Sequence, residues 1–152
     1  MKNNLKFIVF LFFWAILIVH NKTYANEILF NTSEIRITDS GNITNTGPGS
    51  AYSQVDNIKI DGQSFKLDKN SSLLIANNAK TTLSEKNIEI IAEQLIYDQK
   101  ISSVKALGNV EIKDLSNNVT LKSEEAIYNN NEKIIISKVR SIFTDKPGNN
   151  II

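Results

Sequence analysis

Alternation of apolar and polar residues constrains this chain more than any other feature. From Ile88 onward, Ile88, Ile90 and Ala92 fall on one parity and Glu89 and Glu93 on the other. Further along, Val104, Ala106, Gly108, Val110 and Ile112 share a parity, against Lys105, Asn109, Glu111 and Lys113. Successive side chains of a strand point to opposite faces, so the stretch to Asp114 predicts two half-buried strands joined near Asp98 to Ser103. Ile91 and Leu107 are out of phase.

The unit repeats. Ile60, Phe65, Leu67, Asp68, Leu74 and Ala76 align with Ile90, Leu95, Tyr97, Asp98, Val104 and Ala106 at a constant offset of 30. Ile90, Glu93, Tyr97 and Asp98 then align with Leu121, Glu124, Tyr128 and Asn129 at an offset of 31, which becomes 32 where Val104 and Val110 meet Ile136 and Ile142. Periods of this length mark stacked supersecondary units. Polar turns punctuate them at Asp68-Lys69-Asn70, Asp98-Gln99-Lys100 and Asn129-Asn130-Asn131, where Asn and Asp bond their own backbone and tolerate left-handed conformations.

Upstream, Glu34 to Thr38 is a short alternating strand, Asp39 to Asn42 a turn, and Thr46 to Ser50 an exposed loop or crossover between sheet edges. Leu83 to Leu95 has some helical spacing, but Ile88, Ile90 and Ile91 favour strand. The expected architecture is all-β, with many short antiparallel strands in a rolled or folded sheet built from repeats of about thirty residues.

The first 25 residues form a separate object. Lys2 and Lys6 precede the apolar run Phe7 to Val19, and Thr23 and Ala25 place small residues where a signal peptidase inspects them. At 13 residues the run is short for a membrane-spanning helix. Cleavage after Ala25 is the expectation, and a retained inner-membrane anchor is the alternative. The expected layout is a signal segment over 1–25, one domain over 26–145 and a flexible tail over 146–152.

Cleavage would remove Lys2, Lys6 and Lys22 and no acid, so 17 basic residues become 14 against 16 acidic ones, and the net charge moves from +1 to −2. Such a balance does not favour nucleic acid as a partner. Cleavage would also remove the only His, Trp and Met, and the chain has no Cys. The usual general base, the thiol nucleophile and the commonest zinc ligands are then missing together. Glu93 and Glu124 recur because the repeat recurs. The expectation is a protein that is not an enzyme and uses no cofactor.

The motif formed by Ala92, Glu93, Leu95, Tyr97 and Asp98, a turn, and then Val104, Ala106, Gly108, Asn109, Val110 and Ile112 resembles the OstA-like domain of lipopolysaccharide transport proteins. A following copy keeps Glu124, Ala126, Tyr128 and Asn129 but loses the Gly-Asn pair. The likeness spans about residues 30 to 143. It implies a β-jellyroll, one antiparallel sheet bent so that its apolar interior holds the acyl chains of lipopolysaccharide. It further implies a periplasmic, LptA-like protein or a detached LptD-like N-terminal domain, with an anchored LptC-like component as the alternative. The implied partners are lipopolysaccharide, through its lipid A acyl chains, and other jellyroll components of a bridge between inner and outer membrane. These would pair through edge strands near Ile35 to Ile37 and Ile134 to Phe143, with head-to-tail self-assembly of the chain itself.

The residues expected to line the groove are Ile58, Ile60, Phe65, Ile88, Ile90, Leu95, Tyr97, Val104, Ala106, Val110, Ile112, Val119, Leu121, Tyr128 and Ile136. The competing expectation is that they fill an ordinary sandwich core, as in a structural β-repeat protein without a lipid ligand. Gly108 is expected to mark a bulge or bend.

Overall fold

The structure, a computed structural model, describes residues 27–83, 87–137, 139–145 and the backbone of 150–151. The expected signal segment and most of the expected tail lie outside the described residues. Six short strands come first: β1 (Ile28–Thr32), β2 (Ile35–Thr38), β3 (Ile43–Thr46), β4 (Gly49–Ser53), β5 (Ile58–Gly62) and β6 (Ser64–Asp68). Four long ones follow: β7 (Leu73–Leu83), β8 (Ile88–Asp98), β9 (Ser103–Asp114) and β10 (Val119–Asn129). β11 (Ile134–Ile136), β12 (Ile142–Asp145) and β13 (Asn150–Ile151) complete the described strands, and β13 pairs with β12. Within Leu83 to Leu95, Asn87 is a turn residue and Ile88 to Leu95 is strand, as its β-branched residues favour.

All thirteen strands belong to one antiparallel sheet. β7 to β10 form its spine. At one end β7 pairs with β5 over one half of its length and with β6 over the other. At the opposite end β10 pairs with β12 over one half and with β11 over the other. The sheet thus divides lengthwise into two lobes. The first holds β1, β4, β5, β12 and one half of each spine strand; the second holds β2, β3, β6, β11 and the other halves.

A crease separates the lobes. On β7 the buried positions run Leu74, Ala76 and then Ala79, Thr81, so the parity changes at Asn77-Asn78. On β8 they run Ile90, Ala92 and then Leu95, Tyr97, changing at Glu93-Gln94. β9 keeps its parity, but Gly108 and Asn109 are both left-handed, and the register against β8 and β10 shifts there. These are bulges, which bend a strand and re-aim its side chains. Polar side chains bridge along the crease: Asn77 donates to Ser64 at 3.0 Å, Gln94 to Asn77 at 3.1 Å and Asn109 to Glu93 at 2.5 Å. Ile91 and Leu107, out of phase in the sequence, are half-buried on the outer face beside it.

Gly108 has φ +73°, and an added Cβ would meet the Glu93 side chain, with Cδ at 2.9 Å and Cβ at 3.1 Å. Gly108→Ala is therefore expected to cost about 1–3 kcal/mol through left-handed strain and displacement of Glu93. Urea unfolding measures it, and a cost below the error of the midpoint would show that the crease does not need this glycine.

Four hairpin turns share one chemistry. The last residue of each strand accepts backbone N–H groups two residues on: Asp68 from Asn70 at 2.9 Å, Asp98 from Lys100 at 2.9 Å, Asp114 from Ser116 at 3.0 Å and Asn129 from Asn131 at 2.9 Å. Four residues after each lies a left-handed residue, Ser72, Ser102, Asn118 or Lys133, which turns the chain back. Bonds from the Asn117 side chain and backbone hold the Asp114 carboxyl below the ordinary carboxylate range, and bonds from Ser71 do the same for Asp68. A depressed folded-state value adds stability above the unfolded pKa of about 4 and loses it as pH falls through the folded value. Asp114→Asn keeps an acceptor that does not titrate, so its melting temperature should fall less steeply than wild type on acidification below that range. Parallel curves would contradict the assignment.

Candidate functional site

The inner faces of the two lobes meet in one apolar cluster. Ile58, Ile60, Phe65, Ile90, Leu95, Tyr97, Val104, Ala106, Val110, Ile112 and Tyr128 are all buried within it. Ile88, Val119 and Leu121 are half-buried, and Ile88 and Leu121 pack against the cluster. Apart from Val119, these residues, all expected to line a groove, share the interior. Ile136 does not. Tyr128 pairs with Ile135, so Ile135 shares its inward face and packs against the core, while Ile136 is 44% exposed on the outer face. The repeat alignment misses this by one position in β11.

Near the centre the interior is filled by its own side chains, with Leu95, Tyr97 and Val104 fully shielded from solvent. At the β1–β2 end it opens. A groove of about 720 Å³ lies between the lobes, walled by Ile28, Leu29 and Phe30 of β1 and by Ile35, Ile37 and Leu67 of the second lobe. Glu27, Thr44, Lys69, Ser72 and Gln99 add polar lining. Phe30 reaches across the lobes to Phe65 in an edge-on contact with ring centroids 5.9 Å apart.

Ile28, Phe30 and Leu67 are groove residues that sequence reasoning missed. In β1 apolar Ile28, Leu29 and Phe30 are consecutive, so no alternation shows which faces inward. Leu67 carried a signal, since it aligns with Tyr97 in the repeat.

The two ends of the sheet also expose apolar side chains: Leu29, Ile35 and Ile37 at one, Ile134, Ile136, Ile142 and Phe143 at the other. A strand edge flanked by such residues is a template for pairing with another chain.

One polar cluster interrupts the interior. The Tyr97 hydroxyl donates to Asp56 and lies 2.9 Å from Ser53 Oγ. Burial pushes the Tyr97 phenol above its ordinary range, and the Asp56 carboxylate adds to the effect, so the hydroxyl stays protonated and acts as a donor. Among the described residues no group of three or more His, Cys, Asp or Glu side chains is placed to hold a metal ion.

No family model and no curated protein matches the sequence. The structure is similar to a solved one, LptH of Pseudomonas aeruginosa, described as the LptA-homologous periplasmic component of the conserved lipopolysaccharide transport device. The TM-score is 0.66 over 80% of this chain and 96% of that one, at 13% identity. This chain has an LptA-like fold. The β-jellyroll implied by the sequence motif is thus present as one bent antiparallel sheet that does not close into a barrel. Such low identity is compatible with one fold because its demands are coarse: inward apolar positions, turn residues at strand ends and a crease at mid-strand.

Proposed function

We propose that this chain is a periplasmic component of lipopolysaccharide transport that shields acyl chains between the two lobes of its sheet and has no chemistry of its own. The observation that carries this reading is a groove walled by apolar side chains and continuous with an apolar interior, on a fold shared with LptH. Acyl chains offer no hydrogen bonds, so a carrier needs apolar walls, and each methylene removed from water contributes about 0.8 kcal/mol. The strand edges at β1, β2 and β11, each paired on one side only among the described residues, suit β-augmentation by other jellyroll domains or by copies of this chain, extending the groove as a bridge between membranes.

The filled centre favours a second reading, a structural β-repeat that binds no lipid. Equilibrium binding of the purified chain to lipopolysaccharide and to its deacylated oligosaccharide separates the two. The carrier reading predicts binding to the first and none to the second. Equal binding, or none to either, would sink it.

A further inference from the structure

The two lobes are tied together by polar atoms at the tip of one turn. Asp56 lies on the β4–β5 turn of the first lobe. Its carboxylate accepts the Tyr97 hydroxyl through Oδ2 and the Ser102 hydroxyl, on the β8–β9 turn of the second lobe, through Oδ1 at 2.9 Å. Its backbone carbonyl accepts Asn130 Nδ2, on the β10–β11 turn, at 3.3 Å. Asn130 is itself held, since its Oδ1 accepts the Tyr128 hydroxyl at 3.1 Å and Lys133 Nζ at 2.8 Å. One turn of the first lobe thus engages two successive turns of the second, across 41 to 74 residues of sequence.

The placement gives the cluster a consequence. Gln99, two residues beyond Tyr97, lines the end groove. On the other side of Tyr97 along the sheet lie Val104 and Leu95, which solvent does not reach. The cluster therefore stands where the open groove gives way to the closed interior. It is built from hydrogen bonds to a carboxylate, which hold more strongly than neutral ones yet can be broken without remaking the sheet.

We propose that Asp56 with Tyr97, Ser102 and Asn130 is a latch that holds the lobes shut, and that its release admits an acyl chain from the end groove into the interior. Its purpose rests on the carrier reading above; its existence does not.

The chain has no cysteine, so labels can be placed cleanly. Nitroxides at Val55→Cys and Lys100→Cys, both exposed, report the separation of the two tips. Uptake of cis-parinaric acid, a polyene fatty acid that fluoresces in apolar surroundings, reports acyl entry. Tyr97→Phe is expected to lengthen the tip distance and to speed uptake roughly tenfold, the effect of losing one charge-assisted hydrogen bond, and Asp56→Ala, which loses two, to do both more strongly. A short bismaleimide joining the two cysteines should slow uptake below that of the untethered protein. Unchanged distances in variants that retain the wild-type circular dichroism would overturn the latch. So would longer distances with uptake no faster than in wild type, in a protein that takes the probe up. Longer distances with no uptake by any form would keep the latch and defeat the carrier reading instead.

Discussion

Gly49→Ala is expected to detach β1 from the sheet and to lower stability by about 3 kcal/mol or more. Gly49 has φ +156° and pairs with Thr32 on one side and Gly62 on the other. A Cβ there would fall inside the contact radius of the Asn31 carbonyl oxygen and 3.0 Å from Thr32 Cα. Both are backbone atoms of β1, so no rotamer change relieves the clash; the strand itself must move. Because β1 supplies Ile28, Leu29 and Phe30 to the groove, the same substitution should abolish the groove as well. Urea unfolding measures the loss, and amide exchange of residues 28–32 locates it. A variant with wild-type stability and protected β1 amides would contradict the packing described for this edge.

Val104→Asp is expected to cost about 3–5 kcal/mol, a large part of the roughly 5–15 kcal/mol that holds a domain folded. Val104 is fully buried and lies in register between Tyr97 of β8 and Tyr128 of β10. A carboxylate there would have to ionise in a dry interior or take up a proton, and either is costly. Lys105→Ser, one residue away on the outer face, loses only a 3.0 Å ion pair with Glu125 whose partners are both about a third or more exposed. It should cost well under about 1 kcal/mol. Thermal melts of the two variants check the contrast, and similar losses would contradict the inward–outward assignment of β9.

That assignment was legible because Val104 to Lys113 alternates throughout except at Leu107. The turns were legible too, since Asp68, Asp98 and Asn129 each sit where a side chain must bond the following backbone. The crease was not. Asn77-Asn78 and Glu93-Gln94 are polar residues in mid-strand, and in a sequence they look like any outward-facing pair. Only the change of parity from Ala92 to Leu95 betrays them, and it resembles ordinary noise in the pattern. Phase also cannot be read where every residue is apolar. Ile134, Ile135 and Ile136 are identical, and cross-strand register alone decides that Ile135 faces inward. Asp56 was illegible for a different reason. It sits in a turn, where aspartate is common, and its partners are distant in sequence.

On the proposed carrier function, acyl chains occupy the space between the lobes. The most direct measurement is photo-crosslinking in cells, with a photoreactive residue placed in turn at Phe30 in the groove wall, at Val104 in the interior and at Lys113 on the outer face. The account predicts lipopolysaccharide adducts at Phe30 and Val104 and none at Lys113. Adducts at Lys113 alone, or at no position in a protein shown to be folded and exported, would contradict it.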